Sequence, residues 1–177
     1  LSNGIVLIYN DVRRFGFFKI FFNKNLNTIP FIKRLGVEPL NTEFDENYFY
    51  NYVKNKNKSI KNLLMDQNFI SGLGNIYSNE VLFASKIHPL KICRNLKKNK
   101  IRTLILNIKK ILKDSISKGG SSIKDFINSE GKSGTFQQFF KVYGKENENC
   151  SRNSCNGRIK KISVSNRSTF YCNKCQS

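Results

Sequence analysis

The sequence contains no tryptophan, only one histidine, and just 12 acidic residues among 177. It also has no run of about 18 apolar residues, so no transmembrane helix is predicted. No basic segment followed by an apolar one precedes a small-residue cleavage site, so nothing indicates secretion. The chain opens on Leu1 without an initiator methionine, and we expect its true amino terminus to lie upstream. The one histidine, His88, precedes Pro89 and is interpreted as a structural residue at a helix end, not as a catalytic base.

Positive charge, in contrast, is abundant. Lys and Arg together number 31, and the formal net charge is +19. Such an imbalance creates a strong surface potential that attracts polyanions, and a pI near 9.9 is typical of nucleic-acid-binding proteins. An anionic membrane surface is the alternative partner. Because no helix combines a strongly basic face with a tryptophan-bearing one, the composition favours nucleic acid.

Four of the five cysteines fall within the last 28 residues. An odd number of cysteines without a secretory signal argues against a disulfide framework and indicates a reducing, cytoplasmic location. The four form two close pairs, with four, sixteen and two residues between successive members: Cys150, Cys155, Cys172 and Cys175. Two such pairs at the ends of a β-hairpin provide the tetrahedral thiolate shell that zinc requires. Because four sulfurs leave no open coordination position, we predict one structural zinc ion. The fifth cysteine, Cys93, is expected in the core.

Hydrophobic periodicity predicts strands early in the chain and helices in the middle. Residues 5–9 and 17–22 are β-branched or aromatic runs separated by a loop. The clearest helix covers residues 101–116, where apolar residues recur at helical spacing, with Gly119 and Gly120 as the stop. Three further helices are predicted: residues 44–53 with Thr42 as the cap, residues 60–67, and residues 76–85 with Asn75 as the cap. Alternating apolar residues between the cysteine pairs predict a terminal β-hairpin.

Three segments carry recognisable motifs in chain order. They are DVRRFG at residues 11–16; LLMDQN, GLGNIYSNE and IHP at residues 63–68, 72–80 and 87–89; and VYGK at residues 142–145 followed by the cysteines and RSTFYC at residues 167–172. Together they resemble the formamidopyrimidine-DNA glycosylase family, which excises oxidised purines and includes the endonuclease VIII relatives. The second segment is similar to the family's helix–two-turn–helix. The resemblance extends over essentially the whole chain.

The resemblance implies an α+β fold in three parts. Residues 1–40 would be the carboxyl-terminal strands of an amino-terminal catalytic β-sandwich plus a linker. Residues 41–140 would form a mainly helical helix–two-turn–helix domain with a lid loop at 119–136, and residues 141–177 a β-hairpin zinc finger. The resemblance also implies a bacterial, cytoplasmic protein that acts on the nucleoid as a monomer. Its partner would be damaged double-stranded DNA, with no membrane partner.

An enzyme that acts on a base inside a duplex must extrude that base and fill the gap. The resemblance implies that Arg13 reads the orphaned base while the ring of Phe15 wedges into the stack. The alternative is an ordinary β-turn with Phe15 packed inward. It further implies that Lys61 and Asn75 bind DNA, with Asn75 at the phosphate beside the lesion, a role compatible with capping its own helix. Arg167 would grip the phosphates flanking the extruded nucleotide and donate a proton in δ-elimination; an ordinary surface arginine is the alternative.

The family's catalytic residues are an amino-terminal proline nucleophile, a neighbouring glutamate and a lysine, and none has a counterpart in this sequence. We therefore expect the chain to bind DNA without cleaving it. The resemblance implies that the intact protein excises 8-oxoguanine and formamidopyrimidines and cleaves abasic sites by β,δ-elimination. Two alternatives stay open: a truncated, non-catalytic module that binds damaged DNA, and an endonuclease VIII-type glycosylase directed at pyrimidines.

Overall fold

The computed structural model describes residues 2–11, 14–21, 29–121 and 134–177. The chain divides into two compact units, Leu1–Lys33 and Arg34–Ser177. The described residues form these elements: α1 (Pro30–Lys33), α2 (Glu46–Val53), α3 (Ile60–Leu64), α4 (Asn75–Ala84), α5 (Lys98–Ser117), β1 (Ile159–Val164), β2 (Arg167–Cys172), and 3-10 helices at Cys93–Asn95 and Phe136–Phe139. The predicted mixed fold with a helical middle and a terminal hairpin is confirmed. Among the helices formed by these residues, none has the length and apolar character needed to cross a membrane.

The first unit forms no strand among its described residues, so the strands predicted at 5–9 and 17–22 are wrong over residues 5–9 and 17–21. Residue 22 lies outside the described ranges. A β-strand requires hydrogen bonds to a neighbouring strand, and β-propensity alone does not supply one. Local contacts are found instead. The Ile5 N–H donates to the Asn3 side chain at 3.2 Å, and the Phe17 ring packs edge-on against the Phe31 ring with centroids 5.3 Å apart.

The second unit is built around α5, the longest helix, with 20 residues. Its apolar side, including Ile101, Leu104 and Ile108, is buried and packs against α2 and α4. This confirms the predicted helix, which begins three residues earlier than expected. Gly119 and Gly120 follow it with φ of 71° and 81°, a conformation that glycine adopts without a steric penalty and that ends the helix.

Both predicted helix caps are wrong. Asp45, rather than Thr42, caps α2, since its carboxylate accepts the Tyr48 N–H at 2.7 Å. Asn75 is the first residue inside α4, whose N-cap position is Gly74 without a side-chain cap. The predicted helix over residues 60–67 ends at Leu64. Several residues near each boundary can form a cap, and local sequence alone does not choose among them.

The turn between α3 and α4 is held by the side chain of Gln67. Its Oε1 accepts the Gly72 N–H at 2.7 Å, and its Nε2 donates to the Leu73 carbonyl at 3.1 Å. Gly72 has a φ of 77°, which favours glycine. Gly36 packs against the same turn, where a Cβ atom would collide with the Phe69 backbone. These contacts fix the start of α4 relative to α3.

The terminal hairpin pairs β1 and β2 antiparallel, from Ile159 opposite Cys172 to Val164 opposite Arg167. Ser165 and Asn166 connect the strands with φ of 49° and 57°. Two successive positive φ values are typical of a type I′ turn, whose twist matches that of paired strands. Helix α4 contacts both α5 and β2. Residues 78–83 of α4 are therefore buried in succession.

The predicted lid, residues 119–136, lies largely outside the described residues, which omit 122–133. Its two ends are described. Ser121 forms an isolated antiparallel bridge with Thr135, and the hydroxyl of Tyr77 lies 3.0 Å from that of Ser121. The ends of the segment are thus held close together beside α4.

Candidate nucleic-acid interface and metal centre

Three of the predicted DNA-binding residues, Lys61, Asn75 and Arg167, lie together although they are distant in sequence. Lys61 in α3 donates from Nζ to the main-chain oxygen of Asn75 at 3.0 Å. Asn75, at the start of α4, donates from Nδ2 to the main-chain oxygen of Ser168 at 3.0 Å. Ser168 follows Arg167 at the start of β2, where Arg167 is exposed. We refer to Lys61, Asn75 and Arg167 as the polar cluster.

The tip of the hairpin is also tied to α3. The Ser165 hydroxyl donates to Oδ1 of Asn62 at 3.0 Å, and Asn62 follows Lys61 directly. Because the two-residue turn places Arg167 only two positions after Ser165, this contact keeps the arginine near α3. The polar cluster is thus built from two helices and one strand of the second unit.

Lys61 is a buried lysine without a counter-charge among the described residues. The residue is 1% exposed, and no carboxylate among the described residues forms an ion pair with it. Burial lowers the pKa of Lys61 from its ordinary value of 10.5 to about 7, with a further lowering from the positive charge of Arg167. Perturbed ionisable groups without a structural counter-charge occur most often at functional sites. An anion placed between these two cations would stabilise the charged form of Lys61.

The start of α4 adds hydrogen-bond donors to the same place. No side chain caps this helix, and the N–H groups of a first helical turn lack partners inside the helix. Together with the helix dipole, such groups bind phosphate. Oδ1 of Asn75 is buried without a hydrogen-bond partner among the described residues. Two cations, an amide and an uncapped helix start therefore form an arrangement suited to a phosphate group.

The loop at residues 11–16 is described only in part, since Arg13 lies outside the described residues. Asp11 closes this loop: its carboxylate accepts the Gly16 N–H at 2.6 Å, and its carbonyl accepts the Arg14 N–H at 3.1 Å. The Phe15 side chain is 80% exposed. Its ring therefore lies at the surface instead of packing inward.

The four cysteines predicted to bind metal form one cluster. All four Sγ atoms lie within 4.8 Å of one another, with Cys150 and Cys175 3.9 Å apart and Cys155 and Cys172 3.7 Å apart. Four sulfurs at about 2.3 Å around a tetrahedral metal are separated by about 3.8 Å, so the donor set fits a metal ion. Burial raises the pKa of Cys172, but the N–H groups of Cys175 and Lys174 and the neighbouring thiols outweigh it and bring the pKa to about 7. Burial and neighbouring thiols, Cys172 among them, raise the pKa of Cys150 and Cys175, so Cys172 loses its proton before these two.

The remaining cysteine and the histidine lie outside both sites. Cys93 is fully buried in the helical core, as predicted, and burial raises the pKa of its thiol to about 11. His88 lies four residues beyond the end of α4. Its Nδ1 accepts the Leu90 N–H at 3.2 Å, and its ring packs edge-on against that of Tyr171. Burial lowers the pKa of His88.

Sequence reasoning missed a row of polar contacts along α4. Asn79 accepts the Phe170 N–H at 2.8 Å, and Glu80 accepts the N–H groups of residues 141–143 at 2.8 to 3.0 Å. Arg152 donates to two carbonyl oxygens of the last turn at 2.6 and 3.0 Å. The available signal was an Asn-Glu pair followed by the apolar run of residues 81–84. A helix that is buried on several sides needs partners for its polar residues.

Comparison with known proteins identifies the family. Residues 35–127 match the model of the formamidopyrimidine-DNA glycosylase H2TH domain, which is more than half of the chain. The chain belongs to this family. Formamidopyrimidine-DNA glycosylases of Roseobacter denitrificans and Rickettsia felis are 40% and 43% identical to it over 176 residues, or 99% of the chain. The chain spans 62% and 63% of their lengths.

Solved structures of formamidopyrimidine-DNA glycosylases, abbreviated Fpg, share the fold. The Lactococcus lactis Fpg, in complex with DNA containing an abasic site, is 40% identical with a TM-score of 0.77. That match covers 85% of this chain and 55% of the other. The MutM (Fpg) protein of Thermus thermophilus is 33% identical with the same TM-score, covering 84% and 56%.

Proposed function

We propose that this member of the formamidopyrimidine-DNA glycosylase family binds damaged double-stranded DNA through the polar cluster. The observation that supports this most is that Lys61, Asn75 and Arg167 lie together at the uncapped start of α4, where the buried Lys61 has no carboxylate partner among the described residues. In this proposal Asn75 and the first turn of α4 hold the phosphate beside the lesion. Lys61 supplies positive charge behind it, and Arg167 grips the flanking phosphates.

Base excision is proposed for the longer protein that the relatives represent. That protein would remove oxidised purines and cleave the resulting abasic site, as a cytoplasmic monomer. This chain would contribute the DNA grip, the wedge of Arg13 and Phe15, and the proton that Arg167 donates in δ-elimination. The proline nucleophile expected from the family has no counterpart in these 177 residues. We therefore assign DNA binding without strand cleavage to the chain itself.

We further propose that the metal held by the four cysteines is one zinc ion. Zinc prefers a tetrahedral shell of thiolates, and the spacing of the four Sγ atoms fits that shell. A site with four sulfur ligands has no position for a water or substrate. The ion would stabilise the hairpin that carries Arg167 and take no part in the chemistry.

Binding through phosphates predicts a steep dependence on salt. If about five phosphates are neutralised, the logarithm of the association constant should fall against that of the salt concentration with a slope near −4 to −5. Asn75→Ala and Arg167→Ala should weaken binding to all duplex sequences alike, since phosphate contacts carry no sequence information. Fluorescence anisotropy with labelled duplexes measures both effects.

Arg102→Ala is the matched control, because Arg102 is an exposed arginine on α5 that pairs with Glu46 at 3.1 Å. Its affinity should stay within about twofold of the parent, since exposed ion pairs contribute little. An association constant that does not change with salt concentration would contradict the assignment of the polar cluster to phosphate binding. Equal losses of DNA affinity in Arg102→Ala and Arg167→Ala would contradict it as well.

The proposed wedge predicts a loss that is specific to lesions. Phe15→Ala should cost roughly 1–3 kcal/mol in binding to a duplex with a stable abasic analogue, because a stacked ring offsets the cost of unstacking. Binding to the intact duplex should change little. Phe18→Ala, which removes another exposed ring of the same unit, is the control and should affect both duplexes equally. Equal losses for Phe15→Ala on the two duplexes would show that this ring is an ordinary turn residue.

A further inference from the structure

Glu80 is a buried carboxylate with three main-chain partners. It is 4% exposed, and it accepts the N–H of Lys141 on Oε2 at 2.8 Å and those of Val142 and Tyr143 on Oε1 at 3.0 and 2.9 Å. Burying a carboxylate is costly unless strong donors satisfy it. Three consecutive N–H groups on one carboxylate fix the position of residues 141–143 against α4.

The segment that Glu80 holds packs in turn against the hairpin. The ring of Tyr143 lies edge-on to that of Phe170, with centroids 5.2 Å apart, and Val142 is buried in the same small core. The neighbouring Asn79 reaches β2 directly, since its Oδ1 accepts the Phe170 N–H at 2.8 Å. Two adjacent residues of α4 therefore hold the strand that begins with Arg167.

The opposite end of this arrangement is the polar cluster. The Asn75 carbonyl accepts Nζ of Lys61 at 3.0 Å and Nδ2 of Asn79 at 2.7 Å. The start of helix α4 thus holds Asn75 and contacts Lys61 of α3, and the attachment of β2 through Asn79 follows one turn later. A two-stranded hairpin is only marginally stable by itself, so its orientation depends on what it is attached to.

We propose that Glu80 is a positioning residue for DNA binding, which fixes Arg167 at the distance from Lys61 and Asn75 that lets all three contact one phosphate backbone. Glu80 itself contacts no DNA. Its carboxylate acts through residues 141–143 and the Phe170 ring. This inference rests on the proposed DNA-binding function and adds a residue to it for which the motifs assigned no role.

The test is a double-mutant cycle between Glu80→Gln and Arg167→Ala in the full chain, read by anisotropy on an abasic-analogue duplex. In Glu80→Gln an NH2 group replaces one of the two carboxylate oxygens and faces a main-chain N–H that it cannot accept, so residues 141–143 should shift. We expect Glu80→Gln to weaken binding about tenfold, and Arg167→Ala to cost about tenfold in the parent but less than about twofold in Glu80→Gln. Glu46→Gln is the control: it changes the charge equally, on the exposed face of α2, and should leave the affinity and the cost of Arg167→Ala unchanged.

The outcomes separate positioning from simple stabilisation. If Glu80 only stabilises the fold, its variant lowers the melting temperature while Arg167→Ala costs the same in both backgrounds, and the inference is overturned. If Glu80→Gln does not fold, Asn79→Ala takes its place in the same cycle, because Asn79 holds the same strand through the Phe170 N–H. Failure of the parent chain to bind the duplex would overturn the proposed function itself. If the parent binds the duplex but the effects of Glu80→Gln and Arg167→Ala are additive, only the role of Glu80 is overturned.

Discussion

Removal of the metal is expected to unfold the terminal hairpin and to weaken DNA binding at least tenfold. Structural zinc contributes on the order of 10 kcal/mol or more to small modules of this kind, whereas a two-stranded hairpin without it is marginal. Arg167 and Ser168 lie on β2, so loss of the hairpin removes one side of the polar cluster. A single charge-assisted hydrogen bond to phosphate accounts for about 1.5–3 kcal/mol, which is the source of the tenfold estimate.

The measurement compares the parent chain, a chelator-treated sample and Cys172→Ser. Metal content by atomic emission, strand content by circular dichroism and DNA affinity by anisotropy should fall together. Cys93→Ala is the matched control: it also removes a cysteine, but one in the helical core, and should retain one equivalent of metal and the DNA affinity. Undiminished metal content and affinity in Cys172→Ser would show that the four thiols are not a metal site.

Replacing Lys61 by methionine is expected to stabilise the fold and weaken DNA binding at the same time. Because the pKa of Lys61 falls to about 7 on folding, the unfolded chain binds a proton between pH 7 and 10.5 that the folded chain does not. The free energy of unfolding of the parent should therefore rise with pH across this window, by up to about 1.4 kcal/mol for each pH unit. Below pH 7 the buried charge is a full cost to the fold, and a methionine of similar length removes it.

Deprotonation of Lys61 should lower the DNA affinity, whereas it raises the free energy of unfolding. Above about pH 7 Lys61 is neutral in the free protein and must take up a proton to face a phosphate. Affinity should thus decrease as pH rises from 7 to 9, by at most about tenfold for each unit. Lys61→Met should bind about tenfold more weakly at pH 6 and should lose this contribution to the pH dependence of both stability and binding.

Lys98→Met is the control for net charge, since Lys98 is an exposed lysine at the start of α5. It should leave the melting temperature nearly unchanged and preserve the pH dependence of the parent. Denaturant unfolding and anisotropy between pH 6 and 9 supply both curves. A Lys61→Met variant that is less stable than the parent at pH 6, or that keeps the pH dependence of the parent, would mean that Lys61 is well solvated in the free protein and that its pKa is not lowered.

Features set by neighbouring residues were predictable from sequence. The four clustered cysteines are close in pairs along the chain, so their spacing alone predicted that their Sγ atoms come together. The apolar side of α5 was visible for the same reason, because helical periodicity places Ile101, Leu104 and Ile108 on one face. The motifs at residues 72–80 and 167–172 contain Asn75 and Arg167, and the resemblance to a family implied a DNA-binding role for these two residues and for Lys61. They did not show that these residues lie together.

Tertiary structure decided what depends on partners distant in the chain. Asn75 does not cap its helix and instead donates to the carbonyl of Ser168, 93 positions later. Lys61 is buried and donates to the carbonyl of Asn75 at the start of α4. From the sequence Glu80 is an ordinary helix residue, and only the tertiary structure shows that its carboxylate accepts the N–H groups of residues 141–143. The apolar runs at 5–9 and 17–21 form no strand, since a strand exists only through its neighbour. The local pattern of apolar residues determined which side chains are buried. Hydrogen bonds to residues distant in the chain determined which contacts the polar residues Asn75, Lys61 and Glu80 form.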